Sequence, residues 1–159
     1  MDWFPWLLFL HVLGAIVAFG PTFTFPFVGA MARAEPQHAN FATRVSHTIA
    51  GRLVYPIGIT LPITGALMIL VRGIDLSSRA YWWLGIAIVL YVIAYGYSYF
   101  VQSKLVDRVI EITSAPPQPG ASGPPPELPP LVRRIQRGGM ATSVLLVSII
   151  LLMVVKPQI

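Results

Sequence analysis

His11 is the one imidazole set deep in an apolar run, LLFLHVLGAIVAFGPTFTFPFVGAM at residues 7–31. If that run enters a bilayer at its first residues, His11 lies about 12 Å in, at about 1.5 Å per residue. A neutral imidazole at that depth needs a hydrogen-bond partner or a metal, because lipid offers neither. One chemistry that follows is axial ligation of a b-type haem held between helices. The other is a packed histidine bonded to a neighbouring Tyr, Thr or backbone carbonyl. Gly14 and Ala18 on the next turns are small enough to admit a helix or a flat ring.

A haem needs a second ligand or an open position. Met68 and Met153 sit near the depth of His11, and a thioether from either would serve, although Met in a membrane helix ordinarily packs. His47 falls on the opposite side of the membrane, an interfacial histidine beside Arg44 and Arg52. His38 lies in a polar connection and receives no role. A second polar feature is the stripe Tyr91, Tyr95, Ser98 and Gln102, which recurs at helical spacing on one face. Such a stripe either hydrogen-bonds across helices or lines a path for a small solute or quinone.

Other chemistries are missing. With no cysteine there is no thiolate metal site and no thiol nucleophile. No Asp or Glu interrupts the apolar runs, and no phosphate loop, HExxH or nucleophile elbow occurs. No catalytic set and no metal site is complete, so the chain reads as a non-enzyme.

The elements that position these residues follow from composition. Of 159 residues, 55% are hydrophobic and 11% charged, against about 25% charged in soluble domains. The missing charge marks an all-α, polytopic membrane protein whose runs form a four-helix transmembrane bundle. The spans fall at about residues 3–31, 49–71, 81–101 and 140–155, in a single domain. The first run resembles no signal peptide, lacking a positive start, and is expected to be retained. Pro21, Pro26, Pro56 and Pro62 are expected to bend spans one and two, with Thr60 and Thr64 as local donors to the freed carbonyls. Span four, nearly pure Val, Leu, Ile and Met, suits a lipid-facing helix that Lys156 and Pro157 terminate.

Arg33, Arg44, Arg52, Lys104, Arg108, Arg133, Arg134 and Arg137 lie in the first and third connections, while Arg72, Arg79 and Lys156 lie on the other side. Eight basic residues against three orient the heavier side to the cytoplasm and both termini outward, in the cell's inner (plasma) membrane. The net charge of +5 is spread over these connections, which argues against nucleic acid as a partner and for the lipid bilayer. Trp3, Phe4, Trp6, Tyr81, Trp82 and Trp83 fall at the outer interface. Residues 113–130, TSAPPQPGASGPPPELPP, form a flexible, proline-rich cytoplasmic loop that serves as a spacer or presents PxxP ligands. SKLVDRVIEIT before it extends span three beyond the membrane, and LPPLVRRIQRGG after it forms a basic interfacial lead into span four.

LHVLGAIVAFG near the start, TGALMIL closing span two and MVVKP at the end resemble the bacterial integral-membrane family of unknown function numbered 2269. That resemblance covers nearly the whole chain, implies four helices and supplies no activity. More distantly, LHxxG in a first helix is similar to the copper-resistance D family and to the haem-containing membrane protoporphyrinogen oxidases, which implies a haem ligand at His11. The chain departs from those oxidases in having no lysine inside span three, since Lys104 lies at its end. The leading expectation is a non-enzymatic subunit or accessory that packs against other membrane subunits or itself. A haem b-binding redox or porphyrin-handling protein using His11 is the second, and a transporter of a small solute the third.

Overall fold

The computed structural model describes residues 2–115 and 123–157, and the described residues are helical with no strand among them. Among the described residues, four helices are long and apolar enough to cross a membrane: α1 (Phe4–Ala34), α2 (Pro36–Arg72), α3 (Arg79–Ser114) and α4 (Leu128–Val155). The centre of the proline-rich stretch, residues 116–122, lies outside the described residues.

Each boundary has a local cause. α1 runs unbroken through Pro21 and Pro26, and the Glu35 N–H closes it on the Met31 carbonyl at 2.9 Å. Pro36 cannot continue that ladder, so a short 3₁₀ turn at Pro36–His38 starts α2. The first connection is therefore mostly helix, and His38 lies in that turn rather than in a loop. Sequence reading missed this helix because residues 36–48 carry too few apolar residues to look like a span. α2 ends at Gly73, whose φ of +60° lets the Ile74 N–H reach the Ile69 carbonyl at 3.0 Å. Lys156, at φ 47°, ends α4 immediately before Pro157.

With an even number of spans, both described chain ends lie at one end of the bundle and the basic connections at the other. α1 packs along α2, α3 packs along α4, and α1 also touches α4. The core, Ala87 with Leu146 and Ile149, sits between α3 and α4, ringed by Phe19, Leu90, Tyr91, Leu152 and Met153. This corrects the expectation for the fourth span: it has the largest buried share of the four, 22% of its most apolar window. Gly138, Thr142, Leu146 and Ile149 form its buried face, while Val147, Leu151 and Val154 look outward. An apolar helix has no polar side to reveal which face packs. Trp83 likewise turns inward, its ring N–H donating to the Ala80 carbonyl at 3.2 Å, while Trp3 and Trp6 remain exposed.

α3 crosses α4 closely at Gly138, where a Cβ would strike the Tyr97 hydroxyl and the Gln102 Oε1. The Gln102 amide donates to the Ile135 carbonyl at 3.1 Å, so the glycine and this bond set the crossing together. At the basic end, the extensions of α2 and α3 continue as a helical pair. The Asn40 amide donates to Thr113 Oγ1 at 2.8 Å and to Ser114 Oγ at 3.0 Å, and His47 pairs with Asp107 at 3.4 Å. Arg108 binds Glu111 at 2.8 Å and Glu127 at 3.2 Å, tying α3 to the start of α4.

Gly138→Ala is expected to lower the thermal unfolding midpoint in detergent, by an overpacking cost of about 1–3 kcal/mol. Gly20→Ala, which has no atom within 4 Å of the new Cβ, is expected to leave the midpoint unchanged or raise it.

Candidate functional site

Pro62 has no N–H, so the Gly58 carbonyl four residues earlier loses its intrahelical donor. Hydrocarbon supplies no replacement. The Tyr91 hydroxyl on α3 does, donating to Gly58 O at 2.6 Å. One turn along, the Tyr95 hydroxyl donates to Tyr55 O at 3.0 Å, and the Tyr55 hydroxyl donates back to Ser98 O at 3.0 Å. Two bonds run from α3 to α2 and one returns. Gly58 makes the approach fit, since a Cβ there would lie 2.7 Å from Tyr95 Cε2. Tyr91, Tyr95 and Tyr99 stack in sequence at 5.8 Å and 6.2 Å between centroids, and Tyr55 stands edge-on to Tyr95 and Tyr99.

The stripe read from sequence is therefore brought together for three of its four members. Tyr91, Tyr95 and Ser98 border a partly open cavity of about 30 Å³ at the meeting of all four helices, lined also by Ala18, Gly58 and Thr142. That volume holds about one water. Gln102 leaves the stripe for α4, as described above. Thr60 and Thr64, expected to serve the carbonyl freed by Pro62, bond Ile57 O at 2.7 Å and Thr60 O at 2.9 Å instead.

His11 is half-buried on α1 and meets α2 at Thr64, with 2.8 Å between Nδ1 and Oγ1. The Thr64 hydroxyl proton is directed to the carbonyls of Thr60 and Leu61, at 2.9 and 3.1 Å. With the hydroxyl proton on one of these carbonyls, the Thr64 oxygen accepts from the Nδ1–H tautomer of His11, the tautomer that leaves the Nε2 lone pair free. Gly65 lets the ring lie close, 3.5 Å from where a Cβ would stand. An Nδ1–H held by an oxygen is how ligating histidines are oriented. The rest of a haem site does not follow. His11 borders neither the 30 Å³ cavity nor the basic-end groove described below. Met153 packs against the α3–α4 core. Met68, half-buried, lies one turn beyond Thr64, and no group of three His, Cys, Asp or Glu able to hold a metal assembles among the described residues.

His47, read as an interfacial histidine beside Arg44 and Arg52, has Asp107 of α3 as its partner. Sequence reading missed Tyr55, Tyr99 and Gly58. Tyr55 and Gly58 precede Pro62 by seven and four residues, so helical spacing places them near its freed carbonyl, yet only the pairing of α2 with α3 gives that spacing a meaning.

The family model described as "Predicted integral membrane protein (DUF2269)" matches residues 5–157. No curated protein and no solved structure matches the chain. The likeness of its first helix to the copper-resistance D and haem-containing oxidase families thus rests on LHxxG alone.

Tyr91→Phe is expected to lower unfolding stability in detergent by about 1–2 kcal/mol, the cost of an unpaired buried carbonyl. In a Pro62→Ala background, where a backbone N–H returns to Gly58 O, the same change should cost clearly less. A double-mutant cycle on thermal midpoints reads the difference, and equal costs in both backgrounds would refute the pairing.

Proposed function

The chain belongs to the DUF2269 family of integral membrane proteins, and from that premise we propose that it is a non-enzymatic subunit or accessory of a membrane complex. It sits in the inner (plasma) membrane with both termini outside, since the end carrying eight of the eleven basic residues favours the cytoplasm. The observation that carries the reading is how the polar groups of the spans are used. His11, Tyr55, Tyr91 and Tyr95 are all bonded within the chain, to Thr64 or to helix carbonyls, and their bonds hold helices together. Most of the surface that the spans expose is apolar.

One face of that surface suits a helix. Gly85, Val89, Val92 and Gly96 recur on α3 at intervals of four, three and four residues. The two valines are 56% and 64% exposed, and open space surrounds the position of a Cβ at either glycine. Small residues flanked by β-branched ones allow close helix approach in a membrane. The polar stripe gives little support to transport, because the Tyr91 and Tyr95 hydroxyls are committed to carbonyls around a space for about one water.

Crosslinking in native membranes is expected to give a discrete higher-mass product that Gly85→Leu with Gly96→Leu weakens several-fold. A chain that runs alone under every condition would overturn the proposal. Protein expressed with haem supply is expected to give a flat reduced-minus-oxidised spectrum. A b-type band that His11→Ala removes would put haem binding in its place.

A further inference from the structure

At the basic end, α2 and α3 part to leave an open groove of about 620 Å³. Tyr55, Ile59, Tyr99 and Phe100 form its deeper walls, and His47, Lys104 and Asp107 stand at its mouth. Both flanking helices change their winding there. Ala50–Val54 in α2 and Ser98–Gln102 in α3 are π-helical turns, in which the Tyr55 N–H bonds Ala50 O and the Ser103 N–H bonds Ser98 O. Paired π turns facing one opening are a local departure from regular helix of the kind that marks binding sites. Gly51 lies on the groove wall, and nothing stands within 4 Å of the position its Cβ would take.

The groove has the dimensions and polarity of a lipid. From Ile59 back to His47 the helix rises about 18 Å, close to half of a hydrocarbon core of about 30 Å plus part of the headgroup layer. Apolar and aromatic walls lie at the deep end, and charge lies at the shallow end. The balance of that charge is positive. Lys104, Arg44 and Arg52 outnumber Asp107, which stands 3.4 Å from His47, while Glu111 and Glu127 are engaged by Arg108. Lys104 has no acidic partner among the described residues, and Arg44 and Arg52 stand on the neighbouring turns of α2 without one. Basic pockets between membrane helices are sites for anionic headgroups.

We propose that this groove binds one anionic phospholipid, with an acyl chain along Phe100, Tyr99 and Ile59 and its phosphate on the Lys104 ammonium. The bound lipid bridges α2 and α3 between the Tyr55–Tyr99 contact and the His47–Asp107 pair. It closes the bundle at the level of the π turns, on the far side of the Tyr55–Ser98 bond from the cavity. This site is independent of whether the chain has a protein partner.

The test uses the full chain purified in mild detergent, offered phosphatidylglycerol or phosphatidylcholine, with native mass spectrometry and thermal unfolding as readouts. Phosphatidylglycerol is expected to be retained several-fold over phosphatidylcholine, at one lipid per chain, and to raise the unfolding midpoint. Lys104→Glu should abolish the preference. Gly51→Leu, which fills the groove without meeting another atom at Cβ, should reduce retention of both lipids while leaving the lipid-free midpoint unchanged or higher. Equal retention of the two lipids by the unaltered chain overturns the proposal. So does a preference that survives both substitutions, because the lipid then binds elsewhere.

Discussion

A carbonyl without a donor inside a bilayer is the constraint on which this structure turns. Pro62 creates one at Gly58, and the bond from Tyr91 satisfies it at the expense of fixing α3 against α2. Helix packing in membranes has little hydrophobic drive, because lipid tails are as apolar as the side chains they would replace. Polar bonds and close fit therefore decide which helices stay together. Here the Tyr91–Gly58 and Tyr95–Tyr55 bonds join two helices whose backbones stay apart, and the tyrosine rings fill the distance.

The same logic explains the distribution of glycine. Gly58 and Gly138 stand where a neighbouring helix places an aromatic ring, a hydroxyl or an amide against the backbone, and Gly14 stands against the Leu61 side chain. Gly85 and Gly96 face no neighbour within the chain. The first group has its explanation inside the fold. The second is left for whatever packs on the outside of α3.

Beyond the hydrocarbon the forces change. The helical pair at the basic end is held by the half-buried Asn40–Thr113 bond, by the buried Val109, and by exposed pairs of His47 and Arg108 that compete with water. The exposed pairs among these contacts contribute little to stability. The α2–α3 groove opens at the transition between the two regimes, where tyrosine bonding ends and surface pairing begins.

The amino-acid sequence by itself determined the all-helical class, the four apolar spans, the basic end and the stop at Lys156, because length, hydropathy and charge are properties of a helix taken alone. The helical spacing of Tyr91, Tyr95 and Ser98 was legible for the same reason. Only the tertiary structure decided which face of each helix is inside. Beyond Ser143, α4 carries one polar residue, Ser148, and its burial through Leu146 and Ile149 leaves no pattern in the chain. Only the fold chose Thr64 for His11, Asp107 for His47 and Gly58 for Tyr91, since each pair joins different helices. A polar group in a membrane announces that it needs a partner. Which partner it finds depends on the helix that stands opposite.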